Sequence, residues 1–279
     1  MSIRNLAPRF ATSLTALCLG AAVLAVPAQA ETLKIGNEGT YPPFSIVDSS
    51  GALTGFEPDL AREVCKRMGA DCEFVVMDFK ALIPSLLQGK FALIATQLTP
   101  TPERKDKLLL SKPIVYNPAT FVVKKDNNLE ITKEGVTGKG LKIGLQRGAF
   151  TGKWVQDRFG DSLQYVYYDN PDQVRLDLLA GRIDMTFDSK INWKLELIDK
   201  PEGKDWKLAG GDHWAGDQSI PEAERGSVWA VRKGEDALLK RIDEALVAVK
   251  ADCTYTKIRK KYLDISILPE DEACASKTN

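Results

Sequence analysis

Strand-like and helix-like segments alternate along residues 33–95, and this order is the strongest constraint on the fold. The segments that read as strands are 33–36, 72–77 and 91–95. Between them, apolar residues at helical spacing indicate two helices, one beginning at Pro58 and ending at Gly69, the other covering Leu82 and ending at Gly89. A β-α-β-α-β order predicts a mainly parallel sheet with helices on its faces, so the expected fold class is α/β.

The same alternation returns in the second half of the chain. Its predicted strands are 142–145, 163–168, 183–187 and 228–231, and its predicted helices include 171–180 and 238–249. Two irregular segments, 111–118 and 210–221, carry prolines and no helical period, so each is a candidate crossover between two lobes. The predicted division is lobe 1 over 31–115 with 218–279, and lobe 2 over 116–217. Residues beyond Pro269 are expected to form a loose tail unless Cys274 fixes them.

Residues 1–30 have the pattern of a secretory signal peptide. Arg4 and Arg9 precede an apolar run, 14–26, which is too short to span a bilayer, and small residues at 28 and 30 form a cleavage site. Cleavage after Ala30 predicts an exported protein, with the periplasm as its compartment. Removing two arginines from the 38 basic residues leaves 36 against 38 acids, a net charge of −2. That balance argues against nucleic acid or an anionic membrane surface as a partner.

Four cysteines lie beyond the signal peptide: Cys65, Cys72, Cys253 and Cys274. An even number in an exported chain predicts two disulfides. Three pairings are possible, and local pairing of Cys65 with Cys72 and of Cys253 with Cys274 is the simplest. A zinc site is disfavoured because the spacings form no paired CxxC motif and His213 is the one histidine. We therefore predict no metal and no cofactor.

Residues 96–104 join a buried strand to the start of a helix. Thr101 suits the N-cap, Pro102 suits the first helical position, and Arg104 follows in the first turn. Backbone N–H groups at a helix start favour anions, and the guanidinium of arginine matches a carboxylate. The segment therefore predicts a carboxylate receptor. The structural alternative is an ordinary capped helix with a solvated arginine.

Several ordered motifs carry a resemblance to a known family. Residues 38–44, 55–60 and 78–86, together with 96–104, resemble the periplasmic polar amino-acid-binding proteins of ABC importers. The sequence is most similar to the branch that binds lysine, arginine, ornithine or histidine. The resemblance implies a bilobed periplasmic-binding-protein fold of type II, with two crossovers and a ligand between the lobes. It also implies a Cys65–Cys72 disulfide, a monomer, and an inner-membrane permease as partner.

The resemblance also assigns roles to individual residues. Arg104 would hold the ligand α-carboxylate with help from Thr99, Tyr41 and Phe79 would enclose an aliphatic side chain, and Glu38 would face its cationic end. Without the resemblance, the two aromatic residues would be expected in the core, and Glu38 would be equally well explained as a solvated loop acid. The other predicted ligand-binding residues are Gln97, Leu98, Gln146, Arg147, Phe150, Thr151, Asp188 and Ser189.

The sequence departs from the family pattern where the α-ammonium of a ligand should bind. The family acid is expected at Ser189, whereas the acid of this chain is Asp188, and one residue of offset in a strand turns a side chain to the opposite face. Gln97 replaces a usual serine, and Arg147 precedes Gly148. Two hypotheses stay open: a plain basic amino acid, which we favour, or an opine-like N-modified amino acid whose extra carboxylate would meet Gln97 and Arg147.

Two further classes of protein were weighed. Some exported dehydratases that act on cyclohexadienyl substrates resemble the same fold, and His213, Glu38 or Asp188 could serve such an enzyme as acid or base. The chain has no Ser-His-Asp order and no phosphate loop, so we expect no enzyme. A receptor sensor domain is disfavoured because no transmembrane segment follows. The expected mechanism is closure of the lobes about 115–118 and 212–217.

Overall fold

The computed structural model describes Met1 and residues 31–276. The predicted signal peptide therefore lies outside the described residues. Within the described part of the chain, no helix has both the length and the apolar character needed to cross a membrane.

The helices and strands alternate as the sequence predicts. Residues 31–124 form β1 (Glu31–Asn37), β2 (Thr40–Tyr41), β3 (Ser45–Val47), β4 (Leu53–Thr54), α1 (Phe56–Met68), β5 (Ala70–Val76), α2 (Phe79–Leu87), β6 (Leu93–Leu98), α3 (Pro102–Lys107), β7 (Leu108–Leu110) and β8 (Ala119–Lys124). Residues 133–275 form α4 (Lys133–Val136), β9 (Lys142–Gln146), α5 (Phe150–Phe159), β10 (Gln164–Tyr168), α6 (Pro171–Leu179), β11 (Met185–Ser189), α7 (Lys190–Trp193), β12 (Trp206–His213), β13 (Val228–Arg232), α8 (Asp236–Ala251), α9 (Thr254–Arg259) and α10 (Pro269–Ala275).

Two five-stranded sheets form the centres of the two lobes. The first has the order β5-β1-β6-β13-β7 and the second the order β10-β9-β11-β8-β12. In each sheet the first three strands are parallel, and the fourth is antiparallel to both of its neighbours. Four of the five strands therefore run in one direction, as expected for a mainly parallel α/β sheet. A small third sheet, β2-β3-β4, lies beside the first.

The reversed strand of each sheet is the one that the chain reaches by crossing from the other lobe. Strand β8 follows the predicted crossover 111–118, and β13 follows the predicted crossover 210–221. The strands of the first sheet fall within 31–115 and 218–279, and those of the second fall within 116–217. The limits of the two lobes at single-residue level remain a prediction.

Two strands extend further than the apolar runs indicate. We predicted a strand over 91–95, but β6 continues to Leu98, where it pairs with Val228 of β13. We predicted 183–187, but β11 continues to Ser189, which pairs with Ala119 of β8. Pairing with a distant strand supplies backbone hydrogen bonds that hydrophobic periodicity does not reveal. The motif at 96–98 is therefore the end of a strand and not a turn.

The C-terminal segment is ordered by covalent and ionic links. Beyond Pro269 the chain forms α10, and the structure joins Cys274 to Cys253 by a disulfide. Asp271 of α10 is buried and accepts hydrogen bonds from the buried guanidinium of Arg259. The condition attached to the loose-tail prediction is thus met, and the segment packs as a helix.

The second disulfide joins Cys65, near the end of α1, to Cys72 in β5. Helix α1 ends at Gly69, whose φ of 69° is left-handed, as the sequence pattern predicts. Among residues 31–276, no group of three histidine, cysteine or acidic side chains is arranged to hold a metal ion.

Candidate functional site

The strand ends of the two sheets face each other across an interface between the lobes. Among the contacts that cross it, the Tyr41 hydroxyl donates to Asp188, the Gln146 amide donates to Glu38, and the Arg104 guanidinium donates to the Gly148 carbonyl. The described arrangement is therefore closed, with side chains of one lobe bonded to the other. Most of the predicted ligand-binding residues lie at or next to this interface.

Arg104 is a buried cation held only by carbonyl oxygens. The Thr101 hydroxyl caps α3 by accepting from the Arg104 backbone N–H at 3.3 Å. The guanidinium donates to the carbonyls of Thr99 at 2.8 Å and Gly148 at 3.0 Å, and the residue is 7% exposed. Burial lowers the pKa of Arg104 to about 10, so it is cationic at neutral pH. Among residues 31–276, the acid whose charge acts on this cation is Glu103, and that charge opposes the effect of burial on the Arg104 pKa.

The two predicted aromatic residues are both buried, and Phe79 lies beside this cation. Phe79 is the first residue of α2, and its ring centroid lies 5.7 Å from the Arg104 guanidinium carbon. Tyr41 lies in β2, and its hydroxyl reaches Asp188 of the other lobe at 3.2 Å. An apolar slot between these rings remains a prediction.

Glu38 is a buried acid, with the opposite charge to the buried cation Arg104. It follows β1, and the Asn37 side chain fixes the backbone there by donating to the Ala95 carbonyl and accepting from the Gly39 N–H. The Glu38 carboxylate accepts from Gln146 Nε2 at 3.1 Å, and the residue is 3% exposed. Burial raises the pKa of Glu38 to about 7, and the nearby Asp188 carboxylate adds to the rise.

Glu57 is a second buried acid, close to Glu38, and the sequence reasoning did not assign it to the site. Its carboxylate lies 3.2 Å from the Thr96 hydroxyl, which is also 3.4 Å from Glu38. One hydroxyl proton can serve only one of the two acids at a time. Burial, followed by the charge of Glu38, raises the pKa of Glu57 well above its usual range, and Oε1 has no hydrogen-bond partner. An acid in the first turn of a helix is ordinary. Residues 56–64 include three further charged side chains, so the local sequence gives no signal that Glu57 is buried.

Asp188 reaches the interface despite its one-residue offset from the expected position. Its Oδ1 accepts from the Tyr41 hydroxyl at 3.2 Å and from the Ser189 N–H at 2.7 Å. Burial raises the pKa of Asp188. The strand ends at Ser189 and α7 starts at Lys190, so the chain turns there and the strict alternation of faces no longer applies. Both Asp188 and Ser189 are buried at the interface.

Gln97 belongs to a buried amide network that joins the lobes. Asn117 Nδ2 donates to Gln97 Oε1 at 3.2 Å and to Asn192 Oδ1 at 2.9 Å, and Asn192 Nδ2 donates to the Pro42 carbonyl at 2.8 Å. Gln97 Nε2 is buried without a hydrogen-bond partner. Asn117 and Asn192 were not predicted, because only the fold brings them to Gln97.

Arg147 belongs to a different hydrogen-bond network from Gln97, and their proposed shared role stays a prediction. Its guanidinium donates to Asp169 at 3.0 Å, and Lys80 of the first lobe donates to the same carboxylate at 2.7 Å. The Arg147 side chain is 49% exposed. It therefore belongs to a solvated ion cluster at the edge of the interface, as the plain structural interpretation of Arg147 expects.

The other predicted residues differ in how they can act. Leu98 is fully buried in the core with Leu82 and Leu86, so its side chain serves packing. Thr151 is buried in the first turn of α5, and Phe150 packs partly against the core of the second lobe. Thr99 offers its carbonyl to Arg104.

His213, the acid or base considered for an enzyme, lies in β12. Its ring is 4.8 Å from that of Trp154, and Nε2 is 2.8 Å from the Gly210 carbonyl. It thus belongs to the aromatic cluster of the second lobe, which contains Phe121, Trp154 and Phe187.

Comparison with known proteins gives consistent matches over nearly the whole described chain. The family model described as bacterial extracellular solute-binding proteins, family 3, matches residues 33–265. The histidine-binding periplasmic protein of Escherichia coli strain K12 is 31% identical over 90% of this chain and 95% of its own length. The lysine/arginine/ornithine-binding periplasmic protein of the same strain is 31% identical over 89% of this chain and 94% of its own.

Solved structures of amino-acid-binding proteins also match most of the chain. An ancestral arginine-binding protein bound to arginine has a TM-score of 0.74 and 32% identity, covering 83% of this chain and 98% of that one. An ancestral amino-acid-binding protein described as a precursor of cyclohexadienyl dehydratase has a TM-score of 0.70 and 27% identity, covering 83% of this chain and 95% of that one.

Proposed function

The chain belongs to the bacterial extracellular solute-binding proteins of family 3, and on that premise we propose that it captures a basic amino acid for an ABC importer. The candidate ligands are arginine, lysine, ornithine and histidine. The observation that carries the proposal is Arg104, a buried cation at the lobe interface that is bonded only to carbonyl oxygens. A buried charge is costly without a counter-charge, so the ligand should bring a carboxylate.

Two acids of the site suit the α-ammonium group and the cationic side chain of a basic amino acid. Asp188 can accept from an α-ammonium group, and Glu38 can face a cationic side-chain end. The residue set thus has one cation for the ligand carboxylate and separate acids for two ligand cations. A neutral or acidic amino acid would leave at least one of these buried acids without a partner.

Delivery of the ligand to the importer would follow from closure of the two lobes around it. The ligand would bind first to Arg104 in the first lobe, and the second lobe would then rotate about the two crossovers and bring Asp188 and Gln146 against it. We propose that the closed form is presented to an inner-membrane permease, that the protein is a monomer, and that export follows cleavage after Ala30. Binding without turnover is the proposed activity.

Calorimetric titration of ligand-stripped protein is the direct test of the ligand class. Arginine, lysine, ornithine and histidine are compared with glutamine and glutamate. We expect saturable 1:1 binding of at least one basic amino acid and no binding of glutamate. Preference for glutamate, or no binding of any of the four basic amino acids, would contradict the proposal.

An opine is a second candidate because one observation favours it. Gln97 Nε2 is a buried donor with no partner, and an extra carboxylate of an N-carboxyalkyl amino acid could accept from it. Two observations weigh against it: Asp188 is a buried acid at the interface that could accept from a free ammonium, and Arg147 is bonded to Asp169. Titration with octopine beside arginine separates the two ligands, since tighter binding of octopine would reverse our preference.

An enzyme on this fold is the least favoured alternative. Its suggested acid or base, His213, contacts the aromatic cluster of the second lobe and the Gly210 carbonyl. Incubation with prephenate is the check, and loss of prephenate over time would revive this alternative.

A further inference from the structure

We propose that the ionisation state of Glu38 sets the ligand selectivity of the closed cleft. With Glu38 ionised, the cleft closes well only on ligands with a cationic side-chain end. With Glu38 protonated, it also accepts neutral ligands of the same shape. The inference rests on the proposed function, because it assumes that an amino acid binds with its side chain towards Glu38.

The surroundings of Glu38 make its charge costly when the lobes close. Five elements pack around it and present Tyr41 from β2, Glu57 from α1, Thr96 from β6, Gln146 from β9 and Asp188 from β11. The charged groups in this set are acids. Among residues 31–276, the charge that acts on Glu38 is that of another acid, Asp188, and no lysine or arginine offsets it. Glu57 Oε1, which is also buried, has no hydrogen-bond partner.

A ligand cation beside Glu38, or a proton bound to it, can remove the free-energy cost of burying its charge. The Gln146 amide lies in the second lobe, so closure of the lobes brings it against Glu38. A guanidinium or ammonium of the ligand would then neutralise the carboxylate. A neutral ligand of the same shape offers no charge, so closure around it favours the protonated acid.

The sign of the resulting pH dependence follows from linkage. In an open cleft a solvated glutamate has a pKa of about 4.3. Burial in the closed form raises the pKa of Glu38 to about 7. Closure on a neutral ligand therefore takes up a proton between these values. The affinity for that ligand should rise as the pH falls from 8 to 5, by roughly tenfold to a hundredfold. A ligand whose side-chain cation keeps Glu38 ionised should show little change.

Arginine and citrulline form the matched ligand pair, since they share the carboxylate, the ammonium and the chain length but differ in side-chain charge. Any titration of Asp188 affects both ligands and cancels in their ratio. Both are titrated by calorimetry at pH 5, 6, 7 and 8, in two buffers of different ionisation enthalpy that count the protons taken up. The variants are Glu38→Gln and, as a control on an exposed acid of the first lobe, Glu73→Gln.

We expect the preference for arginine over citrulline to shrink roughly tenfold or more between pH 8 and pH 5, with proton uptake on citrulline binding alone. Glu38→Gln should flatten this dependence, and Glu73→Gln should leave it intact. A preference that does not change with pH, or one that changes equally in Glu38→Gln, would overturn the inference while arginine binding stands. Should Glu38→Gln not fold, the proton count in the unaltered protein decides alone. Failure of all four basic amino acids to bind would instead overturn the proposed function itself.

Discussion

The two lobes have equivalent strand orders, yet they are stabilised by different interactions. Both disulfides and the buried Arg259–Asp271 ion pair lie in the first lobe. The second lobe has no cysteine between 116 and 217, and stacked aromatic rings, with Trp154 and Phe187 4.3 Å apart, form the centre of its core. The same topology therefore has disulfides and a buried ion pair in one lobe, and an aromatic core with solvent-exposed ion pairs in the other.

The lobes also contribute different chemistry to the site. The first lobe supplies the buried cation, both aromatic residues and the acid pair around Thr96. The second supplies Asp188, the Gln146 amide and the Gly148 carbonyl. A cross-linked first lobe can hold the ligand before closure, and the second lobe then completes the hydrogen bonds. The contrast predicts that changes in the first lobe affect both stability and binding, whereas changes in the second affect mainly closure.

Removing the buried ion pair should cost the most. Asp271→Ala leaves the Arg259 guanidinium buried without its carboxylate, which typically costs about 3–5 kcal/mol of unfolding free energy. Chemical denaturation followed by circular dichroism measures the loss. Asp264→Ala, at an exposed acid nearby, is the control and should change stability by less than about 0.5 kcal/mol. Equal, small effects of the two variants would contradict the central role of the ion pair in the first lobe.

Arg104→Ala should have the largest effect on binding. Truncating one partner of a buried, charge-assisted contact costs about 2–5 kcal/mol, which corresponds to a loss of affinity of roughly 30-fold or more. Calorimetric titration with the best basic amino acid measures it. Arg182→Ala removes an exposed arginine of the second lobe that bonds to Asp177, and it should bind as the unaltered protein does. Retained affinity in Arg104→Ala would remove Arg104 from the site.

Local sequence signals predicted the features that depend on neighbouring residues. The alternation of strands and helices follows from apolar runs, and the cap on α3 follows from Thr101 and Pro102, because both are set within a few residues. Arg104 was selected as a candidate for the same reason, and its role in binding stays a prediction. The α/β class follows from this alternation, whereas the family was identified from its resemblance over several ordered motifs.

Contacts between distant residues could not be predicted in the same way. The burial of Glu57 depends on Thr96, 39 residues away, and the Gln97–Asn117–Asn192 network spans three segments. The ion pair of Arg147 could not be predicted because its partner Asp169 is 22 positions distant in sequence. For Asp188, the alternation of faces was applied at the last residues of β11, next to the start of α7. In each case tertiary contacts add to what a local pattern can predict.

Asp188 and Ser189 offer a sharper test of the second lobe. If Asp188 meets the ligand ammonium, Asp188→Asn should weaken binding by roughly tenfold to a hundredfold, since hydrogen bonds to charged groups contribute about 1.5–3 kcal/mol. Ser189→Ala, at the neighbouring buried residue, should weaken it less than about threefold. Titration with one ligand on both variants measures the difference. A larger loss of affinity in Ser189→Ala than in Asp188→Asn would assign the ammonium contact to Ser189.

Breaking the ion pair between Lys80 and Asp169 should have the smallest effect on binding. It tests closure of the lobes separately from the stability of either lobe. It joins α2 of the first lobe to the loop after β10 at 2.7 Å, and both side chains are more than one-third exposed. Exposed pairs contribute about 0.2–1 kcal/mol, so Lys80→Gln should weaken ligand binding up to about fivefold at low salt. The loss should disappear at about 1 M salt, where the Debye length is near 3 Å. Lys194→Gln, which breaks an exposed pair with Asp199 inside the second lobe, is the matched control and should leave binding unchanged. A loss that persists at high salt would mean that Lys80 acts through packing against Gly148, whose position beside the Lys80 backbone leaves no room for a larger residue.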